Sequence, residues 1–164
     1  MKKLSALVAL SLCAAPVAYA QNGGTTCATA TTIVSNTTYT ADTTAAPNWI
    51  INFGPLVSPS NDVVYTFVAP ADTTNFSINP TASNYAFALY LIPSCAAGAG
   101  PTPIGSTAVI GSAITPANIA APGLQAGNTY YLAATGTAAG GPTANGTVTF
   151  NAVLPVTLQS FEID

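Results

Sequence analysis

The chain alternates apolar and polar residues with a period of two, in short runs separated by turn residues. Asp62–Val68 puts Val63, Tyr65 and Phe67 on one face and Val64, Thr66 and Val68 on the other, and Pro70 ends the run. The next run, 73–78, places Phe76 and Ile78 together, with Asn79-Pro80 expected to close it. Residues 85–92 are almost continuously apolar, as in a central strand, until Pro93. Further strands are predicted at 104–110, at 129–133 after the turn Ala126-Gly127-Asn128, and at 147–152, where Val148, Phe150 and Ala152 point inward. Upstream, 28–34 and 37–41 are expected to pair across Ser35-Asn36, and 155–163 supplies a last strand. Eight or nine short strands without an amphipathic helix pattern predict an all-β fold, an antiparallel β-sandwich or jelly roll.

Two stretches break the alternation. Residues 45–61 read as a long loop carrying Pro47, Gly54, Pro55, Pro59 and the single tryptophan, Trp49. Residues 95–103 are rich in glycine, alanine and proline. Abundant threonine beside valine, isoleucine and aromatic residues suits pleated, half-buried surfaces and argues against disorder. Thirteen prolines and thirteen glycines forbid long helices.

The first twenty residues change the picture. Lys2 and Lys3 precede an apolar stretch, and Ala18-Tyr19-Ala20 is an A-x-A cleavage site, so 1–20 reads as a secretory signal. The apolar run is shorter than the roughly 20 residues that span a bilayer. The expectation is a soluble, secreted protein, extracellular or at the cell surface, with the periplasm as an alternative. One domain occupies 21–153, followed by a C-terminal strand or tail at 154–164.

Beyond residue 3 there is no lysine, arginine or histidine. That inventory argues against nucleic-acid binding, binding to anionic membranes and most catalysis, because phosphate contacts need cations and a serine nucleophile needs a base. The expectation is a non-enzymatic protein with no membrane insertion. Asp42, Asp62, Asp72, Glu162 and Asp164 are the carboxylates. Cys27 and Cys95 form an even pair in an exported chain and are expected to make a disulfide, with free thiols or a metal site as the alternatives.

The runs also resemble a known family. Asp62-Val-Val-Tyr-Thr-Phe-Val-Ala-Pro-Ala71 is similar to the D-V-x-Y-x-F-x-A-P-A strand of the bacterial pre-peptidase C-terminal domain. Phe87-Ala-Leu-Tyr-Leu with Ser94-Cys95 resembles that family's central strand and cysteine. Leu124-Gln-Ala-Gly-Asn-Thr-Tyr-Tyr-Leu132 resembles its L-x-A-G-x-T-Y-Y turn and strand, and 147–152 its closing strand. Cys27-Ala-Thr-Ala fits members in which an early cysteine pairs with the later one. The resemblance covers about 27–153 and implies an eight- or nine-stranded jelly-roll-like sandwich, usually appended to exported enzymes. Some members bind collagen or polysaccharide, some bind calcium, and others assist secretion. This sequence differs in carrying no enzyme domain.

Candidate sites follow from loops and unusual side chains. Trp49, in the long loop, either stacks on a sugar or partner or plugs one end of the core. Tyr130 and Tyr131 alternate on a strand, so one is expected inside and the other outside as a second ligand-binding residue. Calcium is the one cofactor considered: Asp42, Asp62 and Asp72 are weak candidates, since no D-x-D-x-D run supports them, and each also reads as a turn or strand-start residue. In the tail, Val156, Leu158, Phe161 and Ile163 form either an edge strand or a donor strand for a neighbouring molecule. Two functions fit: a secreted module binding extracellular polysaccharide or protein, and a self-associating matrix subunit whose unusual lack of edge charge leaves its strands open to pairing.

Overall fold

The alternation translates into two packed sheets. The structure, a computed structural model, describes residues 21–58, 60–70, 72–109, 117–137 and 144–154. The predicted signal segment and the tail residues Val156, Leu158, Phe161 and Ile163 lie outside them. Twelve strands are present among the described residues. They are β1 (Thr31–Thr32), β2 (Thr37–Asp42), β3 (Ile50–Phe53), β4 (Leu56–Val57), β5 (Asp62–Val68), β6 (Thr73–Ser83), β7 (Phe87–Ile92), β8 (Gly98–Gly100), β9 (Gly105–Val109), β10 (Ala117–Leu124), β11 (Thr129–Gly136) and β12 (Thr147–Val153).

One sheet runs β1-β5-β11-β7-β9 and the other β10-β6-β12-β2. Their facing sides hold the core. Val63, Tyr65 and Phe67 of β5 and Leu132 and Ala134 of β11 meet Tyr39, Phe76, Ile78, Val148, Phe150 and Ala152 of the second sheet. The strands at 62–68 and 147–152 follow the predicted faces, and β12 buries every second residue. In the middle, Tyr39 stacks on Phe150 at 5.6 Å while Tyr65 meets both edge-on at 5.4 and 5.3 Å.

Several expectations need correction. Segments 28–34 and 37–41 do not form a hairpin: β1 pairs parallel with β5, whereas β2 pairs with β12 in the opposite sheet. The Ser35-Asn36 turn therefore crosses between sheets, with Asn36 at φ 60°, a conformation asparagine tolerates. The Tyr39 hydroxyl accepts the Val34 N–H at 2.6 Å and holds the crossing. Nor does Asn79-Pro80 end its strand. β6 continues to Ser83, and a register shift opposite Thr149 and Phe150 absorbs the irregularity at Pro80.

The strand count of eight or nine was low because four short or interrupted strands escape a period-two reading. β10 passes through Pro122 and Gly123 with a register shift. The other three strands beyond the expectation come from the predicted loops: 45–61 contains the β3–β4 hairpin, and 95–103 contains β8, which pairs parallel with β3. These three strands make a third sheet, β4-β3-β8, that has no place in a plain two-layer sandwich.

Candidate contact surface

The third sheet exists because the five-stranded sheet is apolar on its outer side too. Val64 of β5, Ala133 of β11 and Ile92 of β7 point away from the main core and are fully buried. Ile50 and Phe53 of β3 cover them, forming a second cluster edged by Trp49, Tyr90, Cys95 and Tyr131. Phe53 lies against Tyr90 with ring centroids 4.5 Å apart. Burying both faces explains the near-continuous apolar sequence of β7.

Covalent and polar links fix this layer. Cys27 and Cys95 form the expected disulfide, joining the short 3-10 turn Cys27–Thr29 to the segment between β7 and β8. At the other end, Asp62 starts β5 with its side chain fully buried. Its Oδ2 accepts the backbone N–H groups of Trp49 (2.8 Å) and Ile50 (3.1 Å), the residues that open β3. The Asp62 N–H donates to the Pro47 carbonyl at 3.1 Å. Nearby, the Ser58 and Thr135 hydroxyls bond at 2.7 Å, Thr135 Oγ1 donates to the Asn61 carbonyl, and Asn48 Nδ2 donates to the Ser58 carbonyl. The base of the hairpin is thus stitched to the ends of β5 and β11.

Burial pushes the Asp62 carboxyl up to about 6, against the lowering effect of its two backbone donors. Its Oδ1 is buried with no hydrogen-bond partner among the described residues, and so are the Trp49 indole N–H and Ser60 Oγ.

The hairpin also carries side chains that this cluster leaves exposed. Ile51 is 54% exposed, Leu56 47% and Val57 73%. A bulge lets both ends of β3 face inward. Ile50 pairs with Gly98 and Asn52 with Ala99, so Ile51 is the extra residue and is turned outward, while Ile50 and Phe53 both face in. Gly54 turns the hairpin at φ 61°, a conformation that favours glycine. Gly100 lets β8 approach closely, since a Cβ there would stand 2.7 Å from the Ile50 side chain. Val34 and Val68 are also exposed but belong to other segments.

The predicted site residues divide. Trp49 and Tyr131 come together on the outer face, both partly buried against the second cluster. Tyr130 belongs to the main core instead of a binding surface, and its hydroxyl accepts the Gln125 N–H at 2.9 Å. The three aspartates do not converge. Asp42 Oδ1 accepts from the Thr44 hydroxyl and N–H, which lower its pKa, and Asp72 accepts the Ala126 N–H. Asp72 follows the far end of β5 from Asp62, about 20 Å away along a strand of this length. No group of three or more His, Cys, Asp or Glu is assembled among the described residues; each of these three aspartates accepts backbone N–H groups. Sequence reasoning missed Ile51, Leu56 and Val57. The usable signal was Gly54-Pro55, a turn pair between two short apolar runs.

The fold and this layer together define an all-β sandwich with a disulfide-stapled third sheet on one outer face. No protein-family model, no curated protein and no solved structure matches the chain.

Proposed function

We propose that this is an exported, non-enzymatic binding module of the pre-peptidase C-terminal type, acting outside the cell or at its surface. Its contact surface is the β3–β4 hairpin. The observation that carries this reading is the exposure of Ile51, Leu56 and Val57 on one small, pinned hairpin. Large aliphatic side chains grouped on a small projection favour contact with an apolar partner surface. The chemistry favours a protein over a polysaccharide, because sugar stacking needs an open aromatic face and Trp49 and Tyr131 are partly buried. The disulfide suits an oxidising compartment, and among the described residues no helix is long and apolar enough to cross a membrane.

The test adds purified protein to surface material of the producing cells and to polymeric carbohydrate. Wild type is expected to be retained on the protein fraction, and the triple variant Ile51→Asn, Leu56→Asn, Val57→Asn to be lost from it with its fold intact. Equal retention of both proteins removes the hairpin from the contact, and retention on carbohydrate alone favours the sugar-binding reading.

Self-association is the second reading, supported by the same patch and by β4, a two-residue edge strand with both side chains exposed. Light scattering at high concentration separates the two, since a module for a foreign partner stays monomeric.

A further inference from the structure

A carboxylate without a counter-charge sits at the joint between the hairpin and the sandwich. Asp62 is fully buried, and its Oδ2 takes both N–H groups at the entry to β3. Its Oδ1 is buried with no partner among the described residues. Beyond residue 3 the sequence offers no cationic side chain to neutralise it. Isolated buried charge is strongly unfavourable, so such a group either takes up a proton or drives its surroundings open to water. Its cover here is the hairpin itself, held by few attachments.

We propose that Asp62 is a pH-responsive latch that sets how firmly the β3–β4 hairpin is docked on the sandwich. This rests on the reading of that hairpin as the contact surface only for its biological use; the latch itself is a property of the free protein. In the docked state the carboxyl is held up at about 6, compared with 3.8 when solvated. Docking therefore favours the protonated acid. The docked state is fully favoured below about pH 4, and the advantage is lost as pH rises through about 6. The difference between the two values corresponds to roughly a hundredfold in the docking equilibrium. At neutral pH, ionised Asp62 favours openings that hydrate it and free Trp49, Ile50 and the exposed aliphatic residues beyond them. In acid the hairpin closes.

Few other groups compete for the titration. Facing the same outer layer are Tyr90 of β7 and Tyr131 of β11; Tyr65 on β5 and Tyr130 on β11 face the main core. None of these four side chains is a carboxylate or an amine. β3 carries no titratable side chain, and Cys95 is held in the disulfide. Asp42, at the end of β2, is satisfied by Thr44.

The experiment is amide hydrogen exchange and amide NMR shifts on the full protein between pH 4 and 8, corrected for intrinsic exchange. Protection at Trp49 and Ile50 is expected to fall roughly a hundredfold between pH 4 and about 6 and to level off above it, while Leu132 in β11 keeps its protection. Asp62→Asn, which retains an acceptor for both N–H groups, is expected to abolish the step. Flat protection and flat shifts at Trp49 and Ile50 in the wild type overturn the latch, as does a step that survives in Asp62→Asn. The wild-type titration decides the matter even if that variant does not fold. No partner is involved, so a flat titration removes the latch and leaves the contact surface standing. Loss of the contact surface in the retention assay leaves the latch standing.

Discussion

The two-sheet sandwich and the third sheet differ in what holds them. The sandwich buries a continuous core of twenty-one residues, including interlocked rings contributed by strands of both sheets. The third sheet contributes only Ile50 and Phe53 to a cluster of five buried residues, and it relies on point attachments: one disulfide, one carboxylate and a few hydroxyl and amide bonds. Distributed burial makes a cooperative unit in which no single contact decides. A layer held at a few points can open alone, at a cost set by those points. The surface carrying the exposed aliphatic side chains is thus placed on the part of the molecule best able to move.

The largest effect is expected where the sandwich is densest. Phe150→Ala removes a fully buried ring that meets Tyr39 and Tyr65, and it should cost about 3–5 kcal/mol in global unfolding. Denaturant titration by far-UV and tryptophan signals should show both transitions moving together. Removal of the disulfide tests the other side of the comparison. The paired change Cys27→Ser with Cys95→Ser opens a loop of sequence separation 68 and should cost about 2–4 kcal/mol. Its signature differs: Trp49 fluorescence, which reports the third sheet, should change at lower denaturant than the far-UV signal. Coincident transitions would mean that the third sheet unfolds only with the sandwich.

The sandwich was legible in the sequence because each of its long strands has one face in the core. Val63, Tyr65 and Phe67, or Val148, Phe150 and Ala152, announce their shared direction through alternation alone. The third sheet was not legible for the opposite reason. β3 turns inward at Ile50 and Phe53 with a bulge between them, which breaks the period, and β8 is Gly-Ala-Gly, without a pattern. The disulfide could be read from two cysteines in a chain expected to be exported. The carboxylate at the hairpin base could not, since the backbone donors that hold Asp62 carry no sequence signature. Tyr130 and Tyr131 show the same limit: alternation said that they part, and only packing said that Tyr130 goes inside.

Acidity should move the two carboxylates in opposite senses. Asp62 is raised, so its contribution to stability is complete below 3.8 and lost as pH rises through about 6. Asp42 is lowered, so its contribution is present above 3.8 and lost as pH falls below it. Wild-type stability is therefore expected to increase from pH 7 to about 4.5, by on the order of 2 kcal/mol, and to fall again below 3.8. In Asp62→Asn the rise on acidification should vanish and the fall should remain. A wild-type profile that declines steadily from pH 7 would show that Asp62 is not buried in solution.

The smallest stability effect separates two neighbours on β3. Ile50 is fully buried, and Ile50→Ala should cost about 2–5 kcal/mol, much of it as opening of the third sheet. Ile51 is 54% exposed, and Ile51→Ser should change stability by no more than about 0.5 kcal/mol. Alternation along β3 makes this contrast, with Ile50 turned in and Ile51 turned out. Denaturant midpoints for both variants, measured at low protein concentration, check it. If Ile51→Ser costs more than about 1 kcal/mol, and the cost grows with protein concentration, the outer face of the hairpin is already covered by a second copy of the chain. Self-association would then replace contact with a foreign partner as the use of this surface.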